Sequence, residues 1–556
     1  MDRGLAAIHR SPGGAVTRGL VSCSAPWQSG VRRYDSRVTL RIRNTLGRSV
    51  EPVLPTDGRR VRMYSCGPTV YRFAHVGNLR TFMLPDLIRR VLLYHGVEVL
   101  HVQNITDVGH LRDERFDRGE DRMLVAAGLE DKTPAQIADA YEAAFHVDEA
   151  AVNILPAHVF PRATEHIPEM LALAERLVDL GHAYVSDHGN VYYDVASFPD
   201  YGRLSGNTLE DLRAGHRGEI EHDKRDHADF ALWKSAGEGR LLSWPTDRWG
   251  QGYPGWHLEC SAMAMRHLGP RFDVHTGGID NVFPHHEDEI AQSAPVVGGP
   301  PAAIWVHGEF LLVGGHKMAK SAGNIERVTE LADRGIDPLA LRYLALTSRY
   351  RHKLEYTTES LAGAAAGLES LRSRLRALGP PPTTGPWAPP PVLRAGAAAA
   401  RPIGRVDGTS GHGGGVDAPL SDRAHEPSAP LSPEGQVVHE RFTAAIDDDL
   451  DLPTALTVVR EIARGSLPID ERRWLVLDAD AVLGLGLDGV WAAQPAAEVP
   501  DEVNALVAER ASARAGGDYA RADAIRSSLA DIGWDVVDSG AESTVQRRPV
   551  SSATNR

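Results

Sequence analysis

Along the first part of the chain the hydrophobic pattern switches between two rhythms. Arg60 to Ser65 reads as a strand, and Cys66-Gly67-Pro68-Thr69 is a turn whose Gly and Pro cannot extend it. Asn78 to Leu93 places apolar residues at 79, 82, 83, 87, 88, 91 and 92, a helical spacing. Pro85 inside that run is expected to kink the helix or end its first segment. Val97 to Val102 is a short strand-type run. Strand, helix and strand within about 45 residues form one βαβ unit, which implies a parallel sheet with a ligand crevice at its carboxyl edge.

Further on, 111–245 is mixed, helical around Ala135–Val152 and Ile167–Leu180 and strand-like near Asn190–Tyr193. Strand and helix alternate again over 254–330, as the second half of the same sheet requires. Residues 379–435 hold 12 Pro and 10 Gly in 57 positions, the composition of a disordered linker. Beyond it, Glu440–Arg464 and Asp501–Asp538 read as helical; Ala522, Ile525, Leu529 and Ile532 step by three or four.

Composition narrows the classes. The 556 residues carry 60 Lys+Arg against 74 Asp+Glu, a net charge of −14, with 42% hydrophobic residues, so the chain is long enough for several domains and ordinary for a globular protein. No stretch approaches the ~20 apolar residues of a membrane-spanning helix. Three cysteines exclude a disulfide scaffold and point to a reducing compartment. The acidic balance argues against a general nucleic-acid coat but leaves room for a local basic surface that fits one RNA. Only six of the 60 basic residues are lysine (132, 224, 234, 317, 320 and 353). With abundant Ala and Gly, this suggests a GC-rich genome and makes each retained lysine more informative. Residues 1–39 hold six Arg and two Asp among Gly, Ser, Ala and Pro; they read as a disordered extension or over-long start, or as an organellar transit peptide.

Three constellations carry chemistry. Ala74-His75-Val76-Gly77-Asn78 stands where the first strand hands over to its helix, and a helix N-terminus offers N–H groups and a positive dipole end to a phosphate. Gly77 would let a nucleotide approach, and His75 and Asn78 can donate to phosphate oxygens; a plain helix start with a surface His is the alternative. Lys317-Met318-Ala319-Lys320-Ser321 lies between Gly314-Gly315 and Gly323-Asn324, a loop whose ammonium groups can swing onto a triphosphate, or simply a solvated lysine loop. His285 and Glu289 are i and i+4, one turn apart on a helical face. With Cys260 and Cys66 they make a Cys₂-His-Glu set within the donor range of Zn²⁺, the alternative being buried Cys with surface His and acids.

Together these features resemble the cysteinyl-tRNA synthetases, a family of class I aminoacyl-tRNA synthetases, from about residue 40 to residue 548. Cys66-Gly67-Pro68-Thr69-Val70-Tyr71 matches the family's opening signature, His75-Val76-Gly77-Asn78 stands at its HIGH motif, and Lys317 to Ser321 at its KMSKS motif. Asn104 to Gly109, Phe198 to Gly206, Asp229 to Lys234, Pro254 to Met263 and Phe283 to Ser293 read like family blocks in family order. The stretch Ala445–Arg464 and the segment around Tyr519–Leu529 resemble its C-terminal helical region.

The resemblance implies an α/β fold: a Rossmann-like parallel-sheet catalytic domain with an inserted connective region, followed by a helical C-terminal domain. It divides the chain into a disordered extension (1–39), the first half of the catalytic domain (40–110), a connective insertion (111–245), the second half with the zinc site and lysine loop (246–330), a helical stem-contact region (331–378), the linker (379–435) and a helical anticodon-binding region (436–548). It implies a cysteine–tRNA ligase that activates L-cysteine with ATP and passes it to tRNA(Cys). One zinc held by Cys66, Cys260, His285 and Glu289 would bind the substrate thiolate, which the hydroxyl of serine imitates poorly. His75, Gly77, Asn78 and Lys320 would contact ATP, with Lys317 beside them and Mg²⁺ accompanying the nucleotide. Trp256 would line the side-chain pocket, and Asp280 or Thr69 would hold the substrate ammonium. Trp534 is a candidate for base stacking, or a core aromatic. A monomer in a bacterial cytoplasm is the expected setting, an organellar matrix the alternative. Asn78, Ala319 and Thr276 depart from the family pattern; a Cβ at Thr276, where Gly is common, would narrow the adenylate pocket or restrict φ. The same catalytic core is similar to a mycothiol-pathway cysteine ligase, which would lack the 440–548 region. A non-catalytic RNA-binding paralogue would have lost the lysines and metal ligands that stand here.

Overall fold

The run Val-Arg-Met-Tyr-Ser opens the central sheet as β1 (Val61–Ser65), and four of its five residues are buried, because a parallel strand is covered on both faces. The structure, a computed structural model, describes residues 40–109, 111–113, 118–210, 223–237, 240–318, 325–390, 393, 429–492, 501–532, 534–539 and 542–547. The loop residues Ala319, Lys320 and Ser321, the extension 1–39 and most of the linker 379–435 lie outside them.

β1 leads through the Cys66 turn into α1 (Val76–Tyr94), which returns the chain to β2 (Val99–Gln103) beside β1 and parallel to it. The expected βαβ unit is there. After a long insertion, β3 (Phe272–Gly278) pairs with the other side of β1, and β4 (Ala302–Gly308) pairs with β3, all parallel, in the order β4-β3-β1-β2. The order reverses between β1 and β3. That switch point opens a crevice above their carboxyl ends.

Pro85 does not end the helix: it lies inside one 19-residue helix. Tertiary packing explains this: nearly every side chain from Phe82 to Tyr94 is buried, polar ones included. Asp86 and Arg90, one turn apart and fully buried, meet Arg342 of the helix Leu339–Leu346; Arg90 Nε lies 2.9 Å and Arg342 Nη2 2.6 Å from Asp86 Oδ2. Arg90 also donates to the carbonyls of Asn153 and Ala481, and Arg342 to those of Val152 and Leu483. α1 is thereby joined to the end of α2 (Pro134–Ala151) and to the helix Ile469–Leu483.

The insertion carries a five-stranded antiparallel sheet that runs on to Gly250–Pro254, past residue 245. It hands over directly to α3 (Trp256–Leu268), which packs on β1. β3 follows, then α4 (Glu287–Val297). Beyond β4 come helices over Val328–Asp333, Leu339–Leu346 and Thr358–Ala377. The helix Pro433–Asp447 starts inside the stretch read as linker, capped by Ser432. The helical run expected over 440–464 is two helices, broken where Asp449 and Leu450 take positive φ.

The last segment is helical to Asp531, but 534–538, read as part of the same helical stretch, is strand. Helices Asp501–Ala515 and Tyr519–Asp531 are followed by an antiparallel hairpin, Trp534–Ser539 with Glu542–Arg547. Trp534 and Val536 are buried with Val503, Ile525 and Leu529, so Trp534 is a core aromatic and not a stacking surface. Among the described residues, no helix is long and apolar enough to cross a membrane.

Candidate active site and metal centre

Cys66 follows the last residue of β1, and its amide donates to the Thr276 carbonyl of β3. Its turn is pinned from β2: the Asn104 side chain accepts from the Gly67 amide at 2.9 Å and donates to Thr106 Oγ1, which in turn donates to the buried Glu259 of α3. Gly67 is required there, since a Cβ would lie 1.7 Å from the Asn104 carbonyl oxygen.

α3 delivers Cys260 to the crevice floor, and the turn into α4 delivers His285, with Glu289 in the first turn of that helix. Donor atoms of Cys66, Cys260, His285 and Glu289 all lie within 4.8 Å of one another. His285 Nε2 is 3.1 Å from Glu289 Oε1, and Cys66 Sγ is 4.0 Å from the same oxygen. The four residues that sequence chemistry grouped are therefore brought together from three elements distant in the chain.

The electrostatics suit a cation. Burial, then Cys260 and Glu289, push the Cys66 thiol well above its ordinary value, while donation from Cys66 holds Cys260 down at about 7. Burial alone would lower His285, but Cys260 and Glu289 lift it to about 9. Two thiols, an imidazole and a carboxylate crowd one buried spot where thiolate and carboxylate charges repel one another, and a divalent ion would relieve that repulsion. Two thiolate sulfurs, an imidazole nitrogen and a carboxylate oxygen are the donors that zinc accepts.

Sequence reasoning missed a second layer of histidines. His275 Nε2 lies 3.0 Å from Glu289 Oε2, and His286 Nε2 lies 3.2 Å from Cys66 Sγ. With Cys66 and Glu289 these two form a second, overlapping donor group. His286 Nδ1 then meets His307 Nε2 at 2.8 Å, and His307 Nδ1 meets Thr45 Oγ1 at 2.8 Å. On the other side His285 Nδ1 faces His257 Nδ1 at 2.9 Å, and His257 Nε2 lies 3.2 Å from Asp288 Oδ2. That contact leaves His285 Nε2 to the crevice and fixes its ring, as an outer carboxylate–histidine pair does for a ligating imidazole. His275 at a buried strand position and His286 beside a named ligand were the available signals.

Trp256, half-buried, stacks on His285 with ring centroids 4.4 Å apart. Thr69, in the Cys66 turn, bridges to Thr106, which also anchors the amide of Val70. Thr276 does not narrow the crevice. Its hydroxyl meets Ser65 Oγ at 2.7 Å in the sheet interior, it is 1% exposed, and its φ is not positive.

His75 caps α1. Its Nδ1 accepts from the Asn78 amide at 3.2 Å, and the Asn78 side-chain oxygen accepts from the His75 amide at 3.2 Å. This pairing leaves His75 Nε2 and the Asn78 amino group as donors. Burial, then Arg72 and Lys317, lower His75 to about 4, so it is neutral at pH 7. Of the first amides of α1, that of Val76 is already bonded to the Glu326 carbonyl and that of Asn78 to His75, so fewer are open to a phosphate than the sequence suggested. Gly77 lies beside Met318: a Cβ there would be 3.0 Å from the His75 ring and 3.6 Å from Met318 Sδ. Lys317 Nζ forms a 2.7 Å ion pair with Asp280 Oδ2. Lys320 lies outside the described residues.

Residues 52–366 match the family model of the class I (C) tRNA synthetase catalytic domain, and residues 496–545 that of the cysteinyl-tRNA ligase anticodon binding domain. The chain is 41% identical to cysteine–tRNA ligase 1 of Burkholderia lata, over 90% of this chain and 95% of that one. It is 38% identical to the cysteine–tRNA ligase of Thermosynechococcus vestitus, over 90% of this chain and 96% of the relative. Among solved structures, methionyl-tRNA synthetase of Mycobacterium tuberculosis with methionyl-adenylate aligns with 81% of this chain and 94% of its own, at 13% identity and a TM-score of 0.47.

Proposed function

The chain belongs to the class I aminoacyl-tRNA synthetases as a cysteine–tRNA ligase, and on that premise we propose how its residues divide the work. It activates cysteine with ATP and transfers it to tRNA. The cluster Cys66, Cys260, His285 and Glu289 holds zinc, one ion per chain. What supports this is the gathering of their donor atoms within 4.8 Å at the carboxyl ends of β1 and β3. Zinc bound there supplies a Lewis acid that takes a thiolate in preference to a hydroxyl.

The rest is positioning and charge. Trp256, stacked on His285, walls the side-chain pocket. Asp280, or Thr69 on the facing turn, holds the ammonium and so fixes the carboxylate toward the nucleotide. The carboxylate oxygen attacks the α-phosphorus of ATP, the bond to the bridging oxygen of the β-phosphate breaks, and pyrophosphate leaves with the electron pair. His75 Nε2 and the Asn78 amino group donate to the phosphates from below, beside Gly77. Lys317 and Lys320 neutralise the leaving pyrophosphate from above, with Mg²⁺ on the nucleotide. A ribose hydroxyl at the 3′ end of tRNA(Cys) then attacks the carbonyl, and AMP leaves. The segment 496–545, within the 436–548 region, reads the anticodon. We place the enzyme, as a monomer, in a bacterial cytoplasm. The bacterial relatives and the low cysteine content support the bacterial and reducing setting.

Cobalt-substituted protein tests the thiolate reading. Titration with cysteine is expected to strengthen the thiolate-to-metal charge-transfer absorption, and serine is expected to leave it unchanged. An equal response to both amino acids would refute metal contact with the substrate sulfur.

A further inference from the structure

Asp280 already holds an ammonium group, and it belongs to the chain. Lys317 Nζ lies 2.7 Å from Asp280 Oδ2 and 4.4 Å from the centre of the Phe310 ring. Asp280 stands two residues past the end of β3, in the helical turn Ile279–Asn281 that runs straight into the turn carrying His285. Lys317 precedes Met318, whose Sδ would lie 3.6 Å from a Cβ on Gly77 at the start of α1. The carboxylate thus sits between the metal cluster and the phosphate end of the crevice. Both partners are half exposed, so the pair braces nothing and is easily exchanged.

We propose that Lys317 Nζ is a tethered stand-in for the substrate ammonium on Asp280, so that lysine and cysteine compete for one carboxylate. This rests on the reading of Asp280 as the ammonium holder. When cysteine arrives, its ammonium displaces Lys317, and the freed lysine is available to the triphosphate. When the triphosphate arrives first, it draws Lys317 away and bares Asp280 for cysteine. Each ligand removes the cost of the other's binding, and the two factors must be equal. An exposed ion pair contributes about 0.2–1 kcal/mol, so each substrate should tighten the other by roughly 1.4- to fivefold.

The test is calorimetric titration of the zinc-loaded full chain with cysteine, with and without α,β-methylene ATP, which cannot release pyrophosphate. 3-Mercaptopropionate, the same thiol without the ammonium, is the control ligand. Wild type is expected to bind cysteine roughly 1.4- to fivefold more tightly with the analogue present and 3-mercaptopropionate equally in both conditions. Lys317→Met is expected to bind cysteine more tightly than wild type without nucleotide, by that same factor, and to gain nothing further from the analogue. If Lys317→Met binds cysteine no more tightly than wild type in the absence of nucleotide, the competition does not exist. Asp280→Asn separates the premise: it should weaken cysteine and spare 3-mercaptopropionate. Unchanged cysteine affinity in Asp280→Asn would refute the ammonium role itself, and the competition with it.

Discussion

Asp86→Asn is the perturbation whose size the structure defines best. The Asp86 carboxylate is wholly buried between Arg90 and Arg342 and also accepts the Leu155 amide at 2.9 Å. Burial pushes the carboxyl up, but the two guanidiniums and that amide more than offset it, and it sits below its ordinary value. Removing one partner of a buried ion pair costs about 3–5 kcal/mol, because the remaining charge is left uncompensated. Here both arginines keep backbone carbonyl partners, and an amide keeps one acceptor for Leu155, so the lower end, about 3 kcal/mol, is expected. Urea unfolding followed by far-UV circular dichroism measures it. Glu369→Gln is the control, since its pair with Arg376 is exposed and should cost under about 1 kcal/mol. The Asp86 contribution should persist at every pH above the ordinary carboxylate value and fade only as pH falls below it. If Asp86→Asn shifted the midpoint no more than Glu369→Gln, the account of α1 as tied through this cluster would be wrong.

Thr276→Val removes the buried hydroxyl facing Ser65 and should cost about 1–3 kcal/mol, while Thr276→Gly should not raise the rate of pyrophosphate exchange, because the side chain lies outside the crevice. Gly67→Ala should fold poorly or lose bound metal, read as zinc content per chain, since its Cβ meets the Asn104 backbone at 1.7 Å; full zinc occupancy would refute the argument. His75 stands at about 4 against an ordinary 6.5, so the unfolded chain takes up its proton first as pH falls. Folding stability tied to His75 is therefore present above 6.5 and lost between 6.5 and 4, by at most about 3 kcal/mol, and His75→Gln should flatten that part of the stability–pH curve.

The parallel sheet was legible because a βαβ unit is a local pattern: strand, amphipathic helix and strand fall within one window. The grouping of Cys66, Cys260, His285 and Glu289 was legible chiefly through the family resemblance: Cys66 and Glu289 are more than 200 positions apart, and residue types alone left buried Cys with surface His and acids open. The polar residues of α1 were not. A helix pattern assigns Asp86 and Arg90 to a solvent face, and only Arg342, far along the chain, reveals that this face is buried. Pro85 does not end the helix for the same reason, since packing on every side offsets a missing backbone bond. The final hairpin was read as helix because Ile525, Leu529 and Ile532 carry a helical step up to its edge, masking the period of two in Trp534 and Val536. Thr276 was misjudged because neighbouring strand residues face opposite sides of a sheet, and sequence alone did not say which side met the crevice.

Cysteine-dependent exchange of ATP with pyrophosphate, with serine as control and before and after removal of metal, tests the central claim most directly. The account predicts exchange with cysteine only, abolished when chelation empties the site and restored by added zinc. Equal exchange with serine, or undiminished exchange by protein shown to be free of metal, would contradict it.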